Sequence, residues 1–110
     1  MTTTIDFYKK VISVRREGVS AVLATVIRTK GSTPRKIGAK MIIYPNGTVF
    51  GTIGGGCGEG AVIEKSQSVL KSGVPLQYQV DLTDGLFYED GGICGGIMDV
   101  FIEPIHNADK

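Results

Sequence analysis

The sequence predicts a single α+β domain, a mixed α/β fold in which two main helices pack on a sheet of about five strands. Three observations support this. The chain has 110 residues, enough for one hydrophobic core. Two segments show the apolar spacing of amphipathic helices. Five shorter segments are rich in β-branched residues or alternate between polar and apolar ones. The predicted order is α-β-β-β-α-β-β within one domain of residues 1–110, whose tail, residues 105–110, is expected to be loose.

The first helix is predicted over residues 5–17. It should end at Gly18, because glycine readily adopts the left-handed backbone found at helix C-termini. The side chains expected on its buried face are the large apolar ones at helical spacing, Ile5, Tyr8, Val11 and Ile12.

Three strands are predicted next, over residues 20–29, 39–44 and 48–53, with a loop from Lys30 to Gly38 between the first two. The second and third strands are separated by Pro45-Asn46-Gly47. An Asn-Gly pair between two β segments is a strong hairpin signal, because both residues tolerate positive φ. We therefore expect an antiparallel hairpin here.

The second half of the chain should contain a helix over residues 59–72 and strands over 76–82 and 97–103. Gly73 is placed to end the helix, and Pro104 to end the last strand. The apolar face of the helix is expected to contain Val62, Ile63, Val69 and Leu70.

Composition narrows the possible functions. The net charge is only +1, and the basic part of the chain has few aromatic residues, so we expect no nucleic-acid partner. No run of about 18 apolar residues is present, so no membrane span is expected. The polar start Met1-Thr2-Thr3-Thr4 does not resemble a signal peptide. We expect a cytoplasmic protein with free thiols, the alternative being a disulfide between Cys57 and Cys94.

Charge is unevenly distributed. Residues 1–71 carry eleven Lys and Arg against four Asp and Glu, whereas residues 72–110 carry one against seven. The basic segment suits an anionic small ligand or an acidic partner surface; the alternative is a solvated surface whose counter-charges fold across from the other half. The complementary halves, together with the edge strands of a small sheet, also predict a homodimer.

Both cysteines are bracketed by glycine. Cys57 lies in the glycine-rich segment 51–60, and Cys94 lies in segment 91–96. Ordering glycine costs entropy, so such clusters indicate positive φ or a close approach of backbone to a ligand, although tightly packed turns are the alternative. The glycines that we single out as candidate binding residues are Gly54, Gly55, Gly56, Gly58, Gly95 and Gly96.

The first segment leads from a strand into a helix, where free N–H groups and the helix dipole can receive an anion or stabilise a Cys57 thiolate. Residues 56–61 also fit the dinucleotide pattern G-x-G-x-x-A, with Asp81 about twenty residues later, but this match is weak. Glu59 is interpreted as a capping residue rather than a proton donor or acceptor. With two cysteines and one histidine, His106, the chain has too few ligands for a structural zinc site.

Arg35 follows Pro34, which fixes the direction of the chain and suits recognition of a phosphate or carboxylate. Three motifs in this order resemble the N-terminal domain of the XdhC/CoxI family, the xanthine dehydrogenase accessory proteins. The residues that carry the resemblance, over nearly the whole chain, are Gly31-Ser32-Thr33-Pro34-Arg35 with Gly38 and Met41, residues 51–59, and Cys94-Gly95-Gly96 with Met98 to Glu103.

The resemblance implies an accessory factor, a chaperone that binds molybdenum cofactor (molybdopterin) and supports its sulfuration and insertion into a molybdenum hydroxylase client. Cys57 and Cys94 would then contact the metal-sulfur end, with the amides of the glycine loops and Arg35 on the phosphate. Relatives carry a Rossmann-type domain after this one, so a separate Rossmann-domain partner is a further expectation. Two alternatives are a nucleotide- or thiol-dependent oxidoreductase and a regulatory or scaffold domain.

Overall fold

The computed structural model describes residues 4–33, 35–53, 58–83 and 95–105. These residues form two helices and five strands in the predicted order, which confirms the α+β fold. The elements are α1 (Thr4–Glu17), β1 (Ala21–Lys30), β2 (Lys40–Ile43), β3 (Val49–Gly51), α2 (Glu59–Ser72), β4 (Leu76–Asp81) and β5 (Ile97–Ile105).

The strands form one sheet in the order β3-β2-β1-β5-β4, and each neighbouring pair is antiparallel. This topology gives the sheet two distinct ends. At the loop end, β1, β3 and β4 finish, while β2, β5 and α2 begin. At the opposite hairpin end lie the β2–β3 turn, the start of β1 and the C-terminus of α2.

The two helices cover opposite faces of the sheet. α2 packs on the face with the larger core, where the apolar side chains of all three central strands are almost fully buried around Val62 and Val69. Ile63 and Leu70 pack at its margin, so the predicted face of α2 is confirmed. α1 covers part of the other face, in a smaller cluster with Ile42. Neither helix in the described part of the chain is long and apolar enough to cross a membrane.

The predicted buried face of α1 is wrong in three of its four residues. Ile5, Tyr8 and Ile12 are 68%, 52% and 48% exposed, while Phe7 and Val14 are buried. Because both sets have helical spacing, the sequence contains two competing apolar faces. The sheet selects the face with Phe7, whose ring lies 5.8 Å from that of Phe50.

The last strand is longer than predicted. β5 continues through Pro104, which lies opposite Val22, to Ile105, which lies opposite Ala21. The prediction that Pro104 ends the strand, and that the loose tail begins at residue 105, is therefore wrong. Residues 106–110 lie outside the described residues.

The β2–β3 hairpin is confirmed, although its turn differs from the expected one. The Gly47 N–H donates to the Tyr44 carbonyl at 2.9 Å, so Pro45 and Asn46 occupy the centre of the turn and Gly47 follows with φ 87°. This arrangement corresponds to a three-residue loop with a glycine bulge. Asn46 contributes through its side chain, which accepts a hydrogen bond from the Thr48 N–H at 3.0 Å.

Candidate functional site at the loop end of the sheet

Three connections that are distant in sequence meet at the loop end. Lys30 and Asp81 both lie level with Ile97, and Met41, one residue into β2, lies level with Gly51. The β1–β2, β3–α2 and β4–β5 connections therefore leave the sheet on the same side. These connections carry the three motifs that the sequence analysis singled out.

The first contact between them is made by backbone atoms. A methyl group on Gly96 would lie 2.5 Å from the carbonyl oxygens of both Lys30 and Ser32, and one on Gly31 would lie 3.3 Å from the Gly96 Cα. Gly31 also has φ 76°. The β1–β2 connection and the start of β5 thus approach more closely than any side chain would allow.

Gly58, the residue before α2, joins the third connection to this cluster. It has φ 77°, and a methyl group there would lie 2.5 Å from Cγ1 of Val80. The N–H of Leu82, just beyond β4, donates to the Gly96 carbonyl at 2.9 Å. Gly58 and Gly96 therefore both contact the C-terminal end of β4. Gly58 packs against the Val80 side chain, and Gly96 accepts the hydrogen bond from Leu82.

Glu59 connects the two ends of the glycine-rich segment. Its Oε2 accepts hydrogen bonds from the Thr52 hydroxyl and, at 3.2 Å, from the Ile53 N–H. The carboxylate thus ties the first turn of α2 to the chain leaving β3. The predicted capping role differs from these contacts, because the amide that Glu59 binds belongs to the chain leaving β3 and not to its own helix.

A β-bulge in β1 determines which residue lies opposite Arg28, a cation near the loop end. The β1–β5 register shifts between Val26 and Arg28, so Arg28 lies opposite Asp99. Its Nε is 3.2 Å from Oδ2 of Asp99, and the Gln79 side-chain N–H group donates to Oδ1 at 3.2 Å. Asp99 is only 6% exposed, and its charged and neutral partners compensate for the burial of its carboxylate.

The other cations of the loop end differ from Arg28 in their contacts with described residues. Among the described residues, no carboxylate lies within ion-pair distance of Lys30, Arg35 or Lys36. Lys36 borders an open groove of about 560 Å³, whose other lining residues are Thr29, Gly31, Ser32, Thr33 and Ile37. Arg35 is exposed, and its carbonyl accepts a hydrogen bond from the Thr33 hydroxyl at 2.9 Å. The groove thus places hydroxyl groups beside cations that have no carboxylate partner in the described part of the chain, an arrangement that suits an anion.

The topology does not support the dinucleotide interpretation. That fingerprint requires a strand, the glycine loop, a helix and a second strand parallel and close to the first. Here β3 and β4 lie at opposite edges of the sheet. The pKa of Asp81 is lowered because its carboxylate accepts hydrogen bonds from the hydroxyl and then the N–H of Thr83. Asp81 therefore closes a local turn at the end of β4.

The structure describes four of the predicted site residues, Arg35, Gly58, Gly95 and Gly96, and places all of them at the loop end. Cys57, Cys94, Gly54, Gly55 and Gly56 lie outside the described residues, as does His106, so their roles stay predictions. Within the described ranges, no group of three His, Cys, Asp or Glu side chains could hold a metal ion.

Two features were missed from the sequence. The groove beside Lys36 forms only when the 31–37 segment folds back on the end of β1, although the absence of acidic residues between Glu17 and Glu59 was a signal for it. The bond from Thr52 to Glu59 joins residues seven positions apart across a glycine-rich segment, and no periodic pattern indicates such a contact.

Comparison with known proteins gives a family. The model of the XdhC and CoxI family matches residues 14–81. A protein of Bacillus subtilis, named as a probable subunit of xanthine dehydrogenase, is 29% identical over 102 residues. The uncharacterized protein YqeB of Escherichia coli is 31% identical over 98 residues. The molybdenum cofactor insertion chaperone PaoD of Escherichia coli is 34% identical over 56 residues, 51% of this chain.

These relatives are much longer proteins. The matches cover 91% and 89% of this chain but only 31% of the Bacillus subtilis protein and 18% of YqeB, and the match to PaoD also covers 18% of that protein. The crystal structure of a xanthine dehydrogenase from Bacillus halodurans has the same fold over 92% of this chain, with a TM-score of 0.76 and 30% identity, and the chain covers 30% of that structure.

Proposed function

The chain belongs to the XdhC and CoxI family, and from that membership we propose that it is a maturation factor that binds molybdenum cofactor and supports its sulfuration and insertion into a molybdenum hydroxylase. The name of one relative, a molybdenum cofactor insertion chaperone, supports this assignment. The observation that carries it is the meeting of three glycine-containing connections beside Lys30, Arg35 and Lys36 at one end of the sheet.

The described residues fit the anionic part of such a ligand. The phosphate of the cofactor would be held by Arg35 and Lys36, with the hydroxyl of Ser32 as a further donor from the groove. The N-terminus of α2 contributes less than its position suggests, because the Glu59 carboxylate already lies at its first turn. We therefore assign the phosphate mainly to the cations of the β1–β2 connection.

We propose that Cys57 and Cys94 contact the metal-sulfur end. The proposal rests on their neighbours in the chain, because Gly58 follows Cys57 directly and Gly95 follows Cys94. Gly58 packs on Val80, and the carbonyl of Gly96 accepts the N–H of Leu82, two residues farther along. The bound cofactor supplies the molybdenum centre to the client, and the chain would hold its two ends.

The remaining parts of the proposal are cellular. We propose a cytoplasmic protein with a molybdenum hydroxylase as client and a Rossmann-type domain as partner. It acts as a carrier and not as an enzyme with turnover.

The test is retention of cofactor by single-residue variants. The chain is expressed in a cofactor-producing host and purified without oxygen, and its molybdenum and pterin contents are measured. Cys57→Ser and Cys94→Ser should each lower retention at least about tenfold, and Arg35→Ala about threefold, as expected for losing one ligand contact. Lys71→Ala, which removes an exposed cation at the hairpin end, is the matched control and should retain cofactor like the parent protein.

Protein stability must be followed in the same variants. Cys→Ser nearly preserves volume, so the free energy of unfolding should fall by no more than about 1–2 kcal/mol. Strong destabilisation of both Ser variants with unchanged retention would show that the thiols are structural and would contradict the proposed site. A thermal shift with NAD or FAD, in the absence of a response to the cofactor, would instead support the oxidoreductase alternative.

A further inference from the structure

The two edges of the sheet are exposed to different degrees. β3 has only three residues, and its Phe50 is covered by α1 through Phe7 and by the Lys10 ammonium group, 5.6 Å from the ring centre. β4 has six residues, and Gln77, Gln79 and Asp81 are exposed along it. Short edge strands resist pairing with other chains, whereas longer uncovered ones promote it.

β4 carries little of the usual protection of an edge strand, because its one charged residue, Asp81, lies at its end. Residues 76–80 contain no charged side chain and no proline. The register with β5 runs without a shift from Leu76, opposite Ile102, to Asp81, opposite Ile97. In the described part of the chain β4 is an edge of the sheet, so the backbone groups on its outer side form a regular row.

One hydrogen bond shows which backbone groups of β4 point away from the sheet. The Leu82 N–H donates to Gly96, the residue directly opposite it, so these two residues form a hydrogen-bonded pair. Hydrogen-bonded residues alternate along an antiparallel strand. The even-numbered residues of β4 therefore bind β5, and the N–H and C=O groups of Gln77 and Gln79 point away from the sheet.

We propose that β4 pairs antiparallel with β4 of a second copy of this chain, with Tyr78 on the two-fold axis. In this register Gln77 lies opposite Gln79 of the partner subunit, and Leu76 lies opposite Val80 of the partner subunit. Amide faces amide and apolar faces apolar. The charge distribution favours this pairing, because the single carboxylate of the strand, Asp81, lies at opposite ends in the two copies.

This identical-strand pairing closes after two copies, so the expected product is a dimer with one continuous sheet rather than a filament. The proposal does not rest on the proposed cofactor function, because the pairing uses backbone groups of β4 and requires no ligand at the loop end.

The test uses light scattering after size exclusion at about 10–100 µM, and Gln77→Pro as the decisive variant. Proline removes the outward N–H at an edge position without touching the bonds to β5. Gln77→Ala, which keeps that N–H, is the matched control. The parent chain and Gln77→Ala should be dimers, and the dissociation constant of Gln77→Pro should rise at least about tenfold. A monomeric parent chain, larger assemblies, or a Gln77→Pro dimer as tight as the parent would overturn the proposal.

Cross-linking provides a second measurement in case Gln77→Pro fails to fold. In a chain with both native cysteines changed to Ser, Tyr78→Cys should form an intermolecular disulfide, since facing residues in a non-hydrogen-bonded pair have Cα atoms about 4.5 Å apart. Gln77→Cys should not, because its two copies would be roughly 8–9 Å apart. Equal cross-linking at both positions, or none at position 78, would contradict the proposed register.

Discussion

At the loop end of the sheet, a methyl group on Gly96 would lie 2.5 Å from two carbonyl oxygens and one on Gly58 would lie 2.5 Å from a valine methyl group. At the hairpin end, Gly47 and Gly73 have positive φ, but no atom from the described ranges lies within 4 Å of the place where a methyl group would be. Glycine is thus needed at the hairpin end for backbone conformation alone. At the loop end it is needed because segments of the chain are pressed together, and this is where the candidate site lies.

The largest expected effect is at Gly96. Gly96→Ala should destabilise the fold by about 2–4 kcal/mol, because two backbone carbonyls cannot move aside as a flexible side chain could. Gly95→Ala is the matched control: no atom of the described residues lies within 4 Å of its added methyl group, so it should change stability by less than about 0.5 kcal/mol. Urea denaturation of the two variants measures the difference. Equal losses of stability in the two variants would mean that Gly96 is no more tightly packed than the exposed Gly95.

Gly58 should be the next most sensitive position. Gly58→Ala combines a left-handed backbone with a contact to Val80, and should cost about 2–3 kcal/mol. Gly60, two residues later in α2, has open space and no positive φ. Gly60→Ala should therefore stabilise the protein, by about 0.5 kcal/mol, because alanine favours helix. The comparison fails if both variants shift the denaturation midpoint in the same direction.

Glu59 tests whether the loop end is also held by a side chain. Glu59→Ala removes the acceptor of the Thr52 hydroxyl and the Ile53 N–H, and should cost about 1–2 kcal/mol. Glu59→Gln keeps one acceptor oxygen and should cost less. Amide hydrogen exchange at Ile53 should become faster in the alanine variant than in the glutamine variant. Unchanged exchange of the Ile53 amide in both variants would show that Glu59 does not hold the chain between β3 and α2 in place.

The smallest effect is expected at the hairpin end. Gly47→Ala should cost about 1 kcal/mol, the penalty of a left-handed backbone without a clash. Gly47→Asn should cost less, because asparagine tolerates this conformation. If thermal unfolding shows that Gly47→Ala is as damaging as Gly96→Ala, the distinction between the two ends disappears.

Most of the local structure was predictable from the sequence. α2 lies over residues 59–72 as expected, and it ends at Gly73, whose N–H donates to the Val69 carbonyl at 2.8 Å. The five strands and the hairpin follow from local signals: residue type, alternation and turn composition. Such signals act over a few residues and need no knowledge of the rest of the chain.

α1 shows where this information ends. Its sequence allows two apolar faces, and helical spacing cannot decide between Ile5, Tyr8 and Ile12 on one side and Phe7 and Val14 on the other. The decision depends on Phe50 and Ile42, which come from strands formed more than 25 residues later. Likewise, Pro104 continues β5 because β1 extends beside it, which a residue-by-residue reading does not reveal.

The candidate site divides in the same way. The sequence by itself determined the residue types: glycines beside each cysteine, Arg35 after a proline, and a basic segment without acids. Only the tertiary structure decided that Gly31, Gly58 and Gly96 meet at one end of the sheet and that, among the described residues, Arg28 has a carboxylate partner in Asp99 while Lys36 has none. The reason is physical: these contacts join segments up to 65 residues apart (96 minus 31), and strand order and register, including one bulge, determine which of them face each other.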